Sequence, residues 1–330
     1  RQRRWIDEQD ITHITDATAR LRNQNYRRGG VDHAQAMAAL RAAMSLHSHA
    51  CTAAVRAEWR IAVADLASVV AWAHYDTENN HDARRLWNVA RSLAIKAHHP
   101  RRSDLVIDLL LDLAHCALNY DTPTAALALV DQAHGIAADG LYPVSPLTHG
   151  YTLILQAWCQ ASMGDAAATF VSLSQAAERY AEADIRTSAP WTRFLVDAEL
   201  AAQRGHARFL LAQTLPEHAT PAAQELSTAV AGYGVRYRRS VAMAYPNLAI
   251  ACLLTGETDL GIRHGNSAIT AADHLPSQRV ATRLTMLADE ASAHRRNPRI
   301  APFRQKLNTA IRGIRRQATG PQPASTRGRE

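Results

Sequence analysis

Aromatic rings set beside carboxylates and amides, recurring at helical spacing, carry the most usable chemistry in this sequence. One group is Asp65, Trp72, Tyr75 and Asp76, and a second is Asp108, His115 and Asn119. Tyr151, Trp158 and Ser162 make a third, and Glu199 and Gln203 a fourth. Indole faces supply apolar area, and amides such as Asn119 and Gln203 can hydrogen-bond an extended backbone, so the set suits the grip of a peptide. Polar side chains are costly to bury unpaired, which argues that Asp76 and Asn119 face a groove rather than a core. For Trp72 and Trp158, packing between helices is an equal alternative. Trp87 reads as a core residue.

Other chemistries find no support. HExxH, GxSxG, GxxxxGK[ST] and GxGxxG are all missing, so catalysis is not expected. Of 16 histidines, the densest clusters are His47-Ser48-His49 and His98-His99, and no Cys or carboxylate completes a ligand set beside them. They read as solvated or capping residues, and neither a metal nor a cofactor is expected. Cys51, Cys116, Cys159 and Cys252 lack CxxC spacing and read as small core residues in a reducing compartment, which implies a cytoplasmic location.

The elements that must position the rings come from a repeated pattern. Between Arg60 and Pro100, Ala67, Ala71 and His74 mark one helix, TENNHD a turn, and Ala83, Trp87 and Ala90 a second helix. Small residues where helices cross, then Ala, bulky, Ala, is the layout of a tetratricopeptide hairpin. A lone hairpin cannot bury such a face, so neighbours of the same kind are required. They follow at offsets of 43, 43, 41 and 51 residues. Leu110, Ala114, Ala126, Val130 and Ala133 fill the slots once, and Leu153, Ala157, Thr169, Leu173 and Ala176 fill them again. Weaker units carry Phe194, Ala198, Ala201 and Gly205, then Tyr245, Ala249, Cys252, Gly256 and Ala268. The spacing predicts an all-α, right-handed α-solenoid of about five tetratricopeptide-like hairpins, with its first helices lining a concave face that carries the ring-and-carboxylate groups.

Residues 1–58 read as N-terminal helices, with Ile11 to Arg28 one helix and Val31 to about Glu58 one long helix or a pair. Residues 59–275 read as the array, residues 276–316 as capping helices and residues 317–330 as a disordered basic tail. Ala189-Pro190-Trp191 is expected to start a helix with Pro in its first turn. The start, RQRRW, has neither an apolar signal core nor an initiator Met, so a natural N-terminus upstream is expected. No apolar run approaches the roughly 18 residues of a membrane span. The net charge of +7 is concentrated at one end. Ten Lys or Arg and one acid lie from Arg295 to Glu330, while the other 294 residues hold 27 bases and 29 acids. Arg295, Arg296, Arg299, Arg304, Arg312, Arg315 and Arg316 read as a solvated face rather than a nucleic-acid site, because no aromatic residues interleave with them.

Several segments together resemble the regulatory region of bacterial XRE-type helix-turn-helix transcriptional regulators that carry a long tetratricopeptide array. They are ATARLRNQNYRRGG, LASVVAWAHYDTENNHDARRLWNVARSLA, PWTRFLVDAELAAQRGHA, RSVAMAYPNLAIACLLTGETDLG and LPSQRV. The resemblance covers about Ile11 to Leu307. It implies a domain that binds a peptide or protein ligand in the groove and passes that state to an upstream DNA-binding domain. That domain is not in this sequence, so no residue here is assigned to DNA. The alternative is a protein–protein interaction scaffold or dimerisation module, with a homodimer as one form, and no membrane contact in either case.

Overall fold

The computed structural model describes residues 5–28 and 33–319. Among them are 14 α-helices and no β-strand, with a single isolated bridge between Trp5 and Ala50. The tail expected at 317–330 lies outside the described residues except for its first three, which complete the last helix. Two N-terminal helices, α1 (Glu8–Arg28) and α2 (His33–Ser45), precede six hairpins. The hairpins pair α3 (Ala53–Asp76) with α4 (Asn80–Ile95), α5 (Arg102–Tyr120) with α6 (Pro123–Asp139), and α7 (Pro146–Ser162) with α8 (Ala166–Ala181). Then follow α9 (Asp197–Ala212) with α10 (Ala219–Gly232), α11 (Arg238–Leu254) with α12 (Thr258–Ala272), and α13 (Gln278–Ala293) with α14 (Ile300–Thr319). Consecutive helices pack on one another, as an all-α solenoid of tetratricopeptide-like hairpins requires.

Local sequence starts and stops these helices. Thr52, Asn79, Thr122, Ser145, Asp165 and Ser277 each accept a backbone N–H of the first turn of α3, α4, α6, α7, α8 and α13. Pro123 and Pro146 occupy first-turn positions, where a missing N–H costs nothing. The tight turns after α7 and α11 need a left-handed residue, supplied by Gly164 (φ 79°) and Gly256 (φ 80°). In the first hairpin Glu78 takes that conformation at φ 59° instead.

Most slot residues of the first three units are buried, whereas Leu153, Phe194, Ala201 and Tyr245 are half-buried and Gly256 is an exposed turn residue. Ala67, Ala71, Ala83, Trp87 and Ala90 are fully buried, and so are Ala114, Ala126, Val130, Ala133 and Ala157. The stretch from 33 to 58 resolves into α2, a short turn over Leu46–Ser48, and the start of α3, with the Trp59 indole donating to the Ala43 carbonyl at 3.1 Å. One expectation fails. Pro190 does not open a helix. Residues 190–194 form turns and α9 begins at Asp197. The turns place Trp191 and Leu195 in the core, so burial of two large side chains outweighs the helical preference.

The solenoid also closes on itself. Asp76, at the end of α3, is completely buried and pairs with Arg239 of α11 and Arg279 of α13. Beside it the Thr282 hydroxyl donates to the Glu78 carboxylate at 2.6 Å. Helix α1 spans the remaining gap, packing on α3 and on α11. The inner face is therefore the wall of a partly closed chamber.

Candidate ligand-binding cavity

The inner helices α3, α5, α7, α9, α11 and α13, roofed by α1, surround a cavity of about 190 Å³ that is partly open to solvent. About 150 Å³ is enough to admit a benzene ring, so there is room for a larger guest. One wall is a ladder of rings with one rung per repeat. Trp72 lies 5.5 Å from His115, His115 lies 5.5 Å from Trp158, and Trp158 lies 4.3 Å from His206. Phe209 stacks on His206, while Tyr151 meets Phe194 edge-on at 5.2 Å. Both histidines are neutral. Burial, reinforced for each by Arg279 and Arg283 across the cavity, holds their pKa values well below the usual imidazole range.

Hydrogen bonds fix the ladder. The Trp72 indole N–H donates to Asp112 Oδ1 at 3.0 Å, and Ser68 Oγ donates to Asp112 Oδ2 at 2.8 Å. The Trp158 indole N–H donates to the Gln203 carbonyl at 3.0 Å. Glu199 accepts from Gln203 at 2.6 Å, from Tyr233 at 2.7 Å and from Ser240 at 3.1 Å. A second set of polar atoms is buried with no partner among the described residues: Asn25 Oδ1, His115 Nδ1, Trp191 Nε1, Gln203 Oε1, Arg239 Nε and Asn247 Oδ1. All six residues line the cavity. An unmet buried donor or acceptor costs about 1–3 kcal/mol, so the wall of the cavity carries an uncompensated polar cost.

Charge is divided between two ends. Asp108 and Asp112, one turn apart on α5, lie close enough to Asp65 for like-charge repulsion, and Asp65 pairs with Arg22 of α1. Burial, then Asp112 and Asp65, drive the Asp108 carboxyl well above its usual range. Burial lifts Asp112 to about 7 despite its two hydrogen-bond donors. Burial also raises Glu199. At the other end stand Arg239, Arg279 and Arg283. Burial, with Arg279 alongside, lowers the Arg283 guanidinium to about 10.

Of the side chains singled out in the sequence, Trp72, Asp108, His115, Tyr151, Trp158, Glu199 and Gln203 line this cavity together. Asp65 sits behind Arg22, one layer back. Tyr75 and Asp76 are fully buried away from the cavity, because α11 and α13 fold over the end of α3. Asn119 is exposed and outside the lining, donating to the Tyr75 hydroxyl of the preceding hairpin at 3.1 Å and to the His115 carbonyl of its own helix at 2.8 Å. Ser162 is exposed at the end of α7, outside the lining. Trp72 and Trp158 do both things weighed for them, since they stack on neighbouring helices and also face the cavity.

Sequence reasoning missed Arg22, Asn25, Tyr26, Asp112, His206, Asn247, Arg239, Arg279 and Arg283. Trp72, His115 and Trp158 are 43 residues apart, and His206 continues the series after a longer step across the 190–196 turns. A search for the next ring would have found it. Arg239 and Arg279 stand inside the segments RSVAMAYPNLAIACLLTGETDLG and LPSQRV, but their contact with α3 crosses more than 160 residues.

No protein-family model matches the chain, and no curated protein is significantly similar to it in sequence. Among solved structures it is similar to a Rap protein complexed with competence and sporulation factor. The TM-score is 0.57 and the identity 11%, over 93% of this chain and 78% of that one. The likeness concerns the fold: a helical repeat solenoid. No helix among the described residues is long and apolar enough to cross a membrane, and no group of three or more His, Cys, Asp or Glu there could hold a metal ion.

Proposed function

We propose that this chain is the sensing domain of a cytoplasmic transcriptional regulator, that it binds a short peptide in its central cavity, and that it passes its occupancy to a DNA-binding domain upstream. The observation that carries the reading is the set of six cavity-lining residues with a buried, unpartnered polar atom around a ring ladder. Amide and imidazole groups of both hydrogen-bonding senses, beside indole faces, match the alternating N–H and C=O of a peptide backbone. The fold-level likeness to a Rap protein, itself solved with competence and sporulation factor, supports the same class by analogy. Catalysis is not part of this reading. The coupling to DNA rests on the sequence resemblance described above.

The mechanism is a shift between two pitches of the solenoid. Ring contacts from α3, α5, α7 and α9 meet at one guest, so a ligand that prefers one inter-hairpin rotation biases all of them. The bias reaches α1, whose Arg22 and Tyr26 share the cavity. Residues 1–58 then act as the link to the upstream domain. The test is tryptophan fluorescence, since Trp72, Trp158 and Trp191 all line the cavity. Titration with pooled synthetic peptides of three to six residues should change emission and raise the melting temperature. A pool that alters neither, added to a chain with the helical signal of the fold, would remove the peptide reading.

A further inference from the structure

We propose that the cavity selects a short peptide bearing opposite charges, its carboxylate held by Arg279 and Arg283 and its ammonium or guanidinium group held by Asp108 and Asp112. The inference rests on the peptide reading above and specifies its chemistry. At one end three guanidinium groups line the cavity, and two of them share a single carboxylate. Arg239 and Arg279 both bind Oδ1 of Asp76. Arg283 has no carboxylate partner among the described residues, and its only hydrogen-bond contact is to Met286 Sδ at 3.9 Å. Arginines presented as planar forks to a partly closed space are the usual receptor for a carboxylate.

The other end is the reverse. Asp108 is 4% exposed and faces the cavity with no hydrogen-bond donor on its carboxylate among the described residues. The charged and titratable groups around the Asp108–Asp112 pair are Arg22 from α1, Asp65 from α3, Asp104 on α5 and Tyr151 from α7. Arg22 pairs with Asp65 and acts on the two carboxyls only through space, so neither Asp108 nor Asp112 has an ion pair among the described residues. Burial and mutual repulsion raise both carboxyls of the pair above their usual range. A bound cation supplies the positive charge that offsets that repulsion. Glu199 has three donors already and is not the cation's partner. Trp72 separates the two ends. Its N–H holds Asp112, and its ring carries Arg239 at 5.6 Å and Arg279 at 5.7 Å. The guest's two charges must therefore stand about one indole apart, which suits the termini or side chains of a peptide of a few residues.

Affinity selection on the whole chain, read by mass spectrometry, tests this with four pools of random tetrapeptides. The pools have free termini, an acetylated N-terminus, an amidated C-terminus, or both caps. The free-acid pools should be retained about tenfold over the amidated ones, the loss expected for one charge-assisted contact. If the carboxylate comes from a side chain, the amidated pools are retained instead as peptides rich in Asp or Glu. Retained peptides from the acetylated pools should be enriched in Lys or Arg. Arg283→Met, at a half-buried position, should erase the preference for carboxylates with the melting temperature unchanged. Asp108→Asn should erase the preference for basic groups. Retention indifferent to caps and side-chain charge overturns this inference and leaves the peptide reading in place. Retention of no peptide overturns both.

Discussion

The first three hairpins and the last three are built to different rules. From α3 to α8 the units repeat every 43 residues, their slot residues are small and buried, and their inner faces carry rings and acids. From α9 to α14 the spacing drifts, Pro216 and the 190–196 turns interrupt it, and α11 and α13 turn arginines to the cavity. The regular half needs only neighbour-to-neighbour contact. The irregular half must also reach across the superhelix to the first hairpin, and it does so through Arg239, Arg279 and Thr282. Uniform repeats make a stack. Broken repeats bring its two ends together around a cavity.

The sharpest way to break this contrast is Asp76→Ala. It strands two buried guanidinium groups, and losing one partner of a buried ion pair costs about 3–5 kcal/mol. Thermal or urea unfolding should show that loss, with hydrogen exchange rising in α13 and α11 before α5. A fall in protection confined to α3 would show that the closure contributes little.

Asp112 tests the acidic half by pH. Its pKa is raised from 3.8 to about 7 in the folded chain, so the folded state binds the extra proton. Stability from this group is complete below pH 3.8 and is lost as pH climbs to about 7. Melting temperatures of Asp112→Asn and the parent chain should draw apart across that window, the parent falling relative to the variant. Parallel curves would assign the charge differently.

A packing comparison comes next. A Cβ on Gly265 of α12 would stand 2.2 Å from the Phe303 ring, whereas one on Gly135 of α6 would meet nothing within 4 Å. Gly265→Ala should destabilise by about 1–3 kcal/mol through overpacking. Gly135→Ala should stabilise by up to about 1 kcal/mol through helix propensity. Equilibrium denaturation of both measures how much tighter the closing hairpins are. The smallest effect belongs to Arg299→Ala, since its pair with Asp259 is exposed at 61% and 67%. Exposed pairs contribute about 0–1 kcal/mol, so calorimetry should register almost no change.

Legibility follows the same division. The regular half could be read residue by residue, because a crossing slot admits only small side chains and recurs at a fixed offset. His115 and Trp158 were found that way, as rungs of one ladder. Asn119 and Ser162 were drawn into the same list by period alone, although the first ties its helix to Tyr75 of the preceding hairpin and the second lies beyond the cavity. Period tells which way a residue points, and it does not tell where the superhelix ends. The arginines of α11 and α13 gave no periodic signal, since each acts once.

The sequence by itself determined the helices, their caps, the order of the hairpins and the face on which the rings stand. Those depend on contacts a few residues apart or one repeat apart, where spacing translates directly into geometry. Only the tertiary structure decided that the inner wall bounds a partly closed chamber, that Tyr75 and Asp76 are buried beneath it, and that acids and arginines face each other across Trp72. Small rotations between successive hairpins add up along the stack, and their sum, which no local pattern encodes, sets which distant side chains meet.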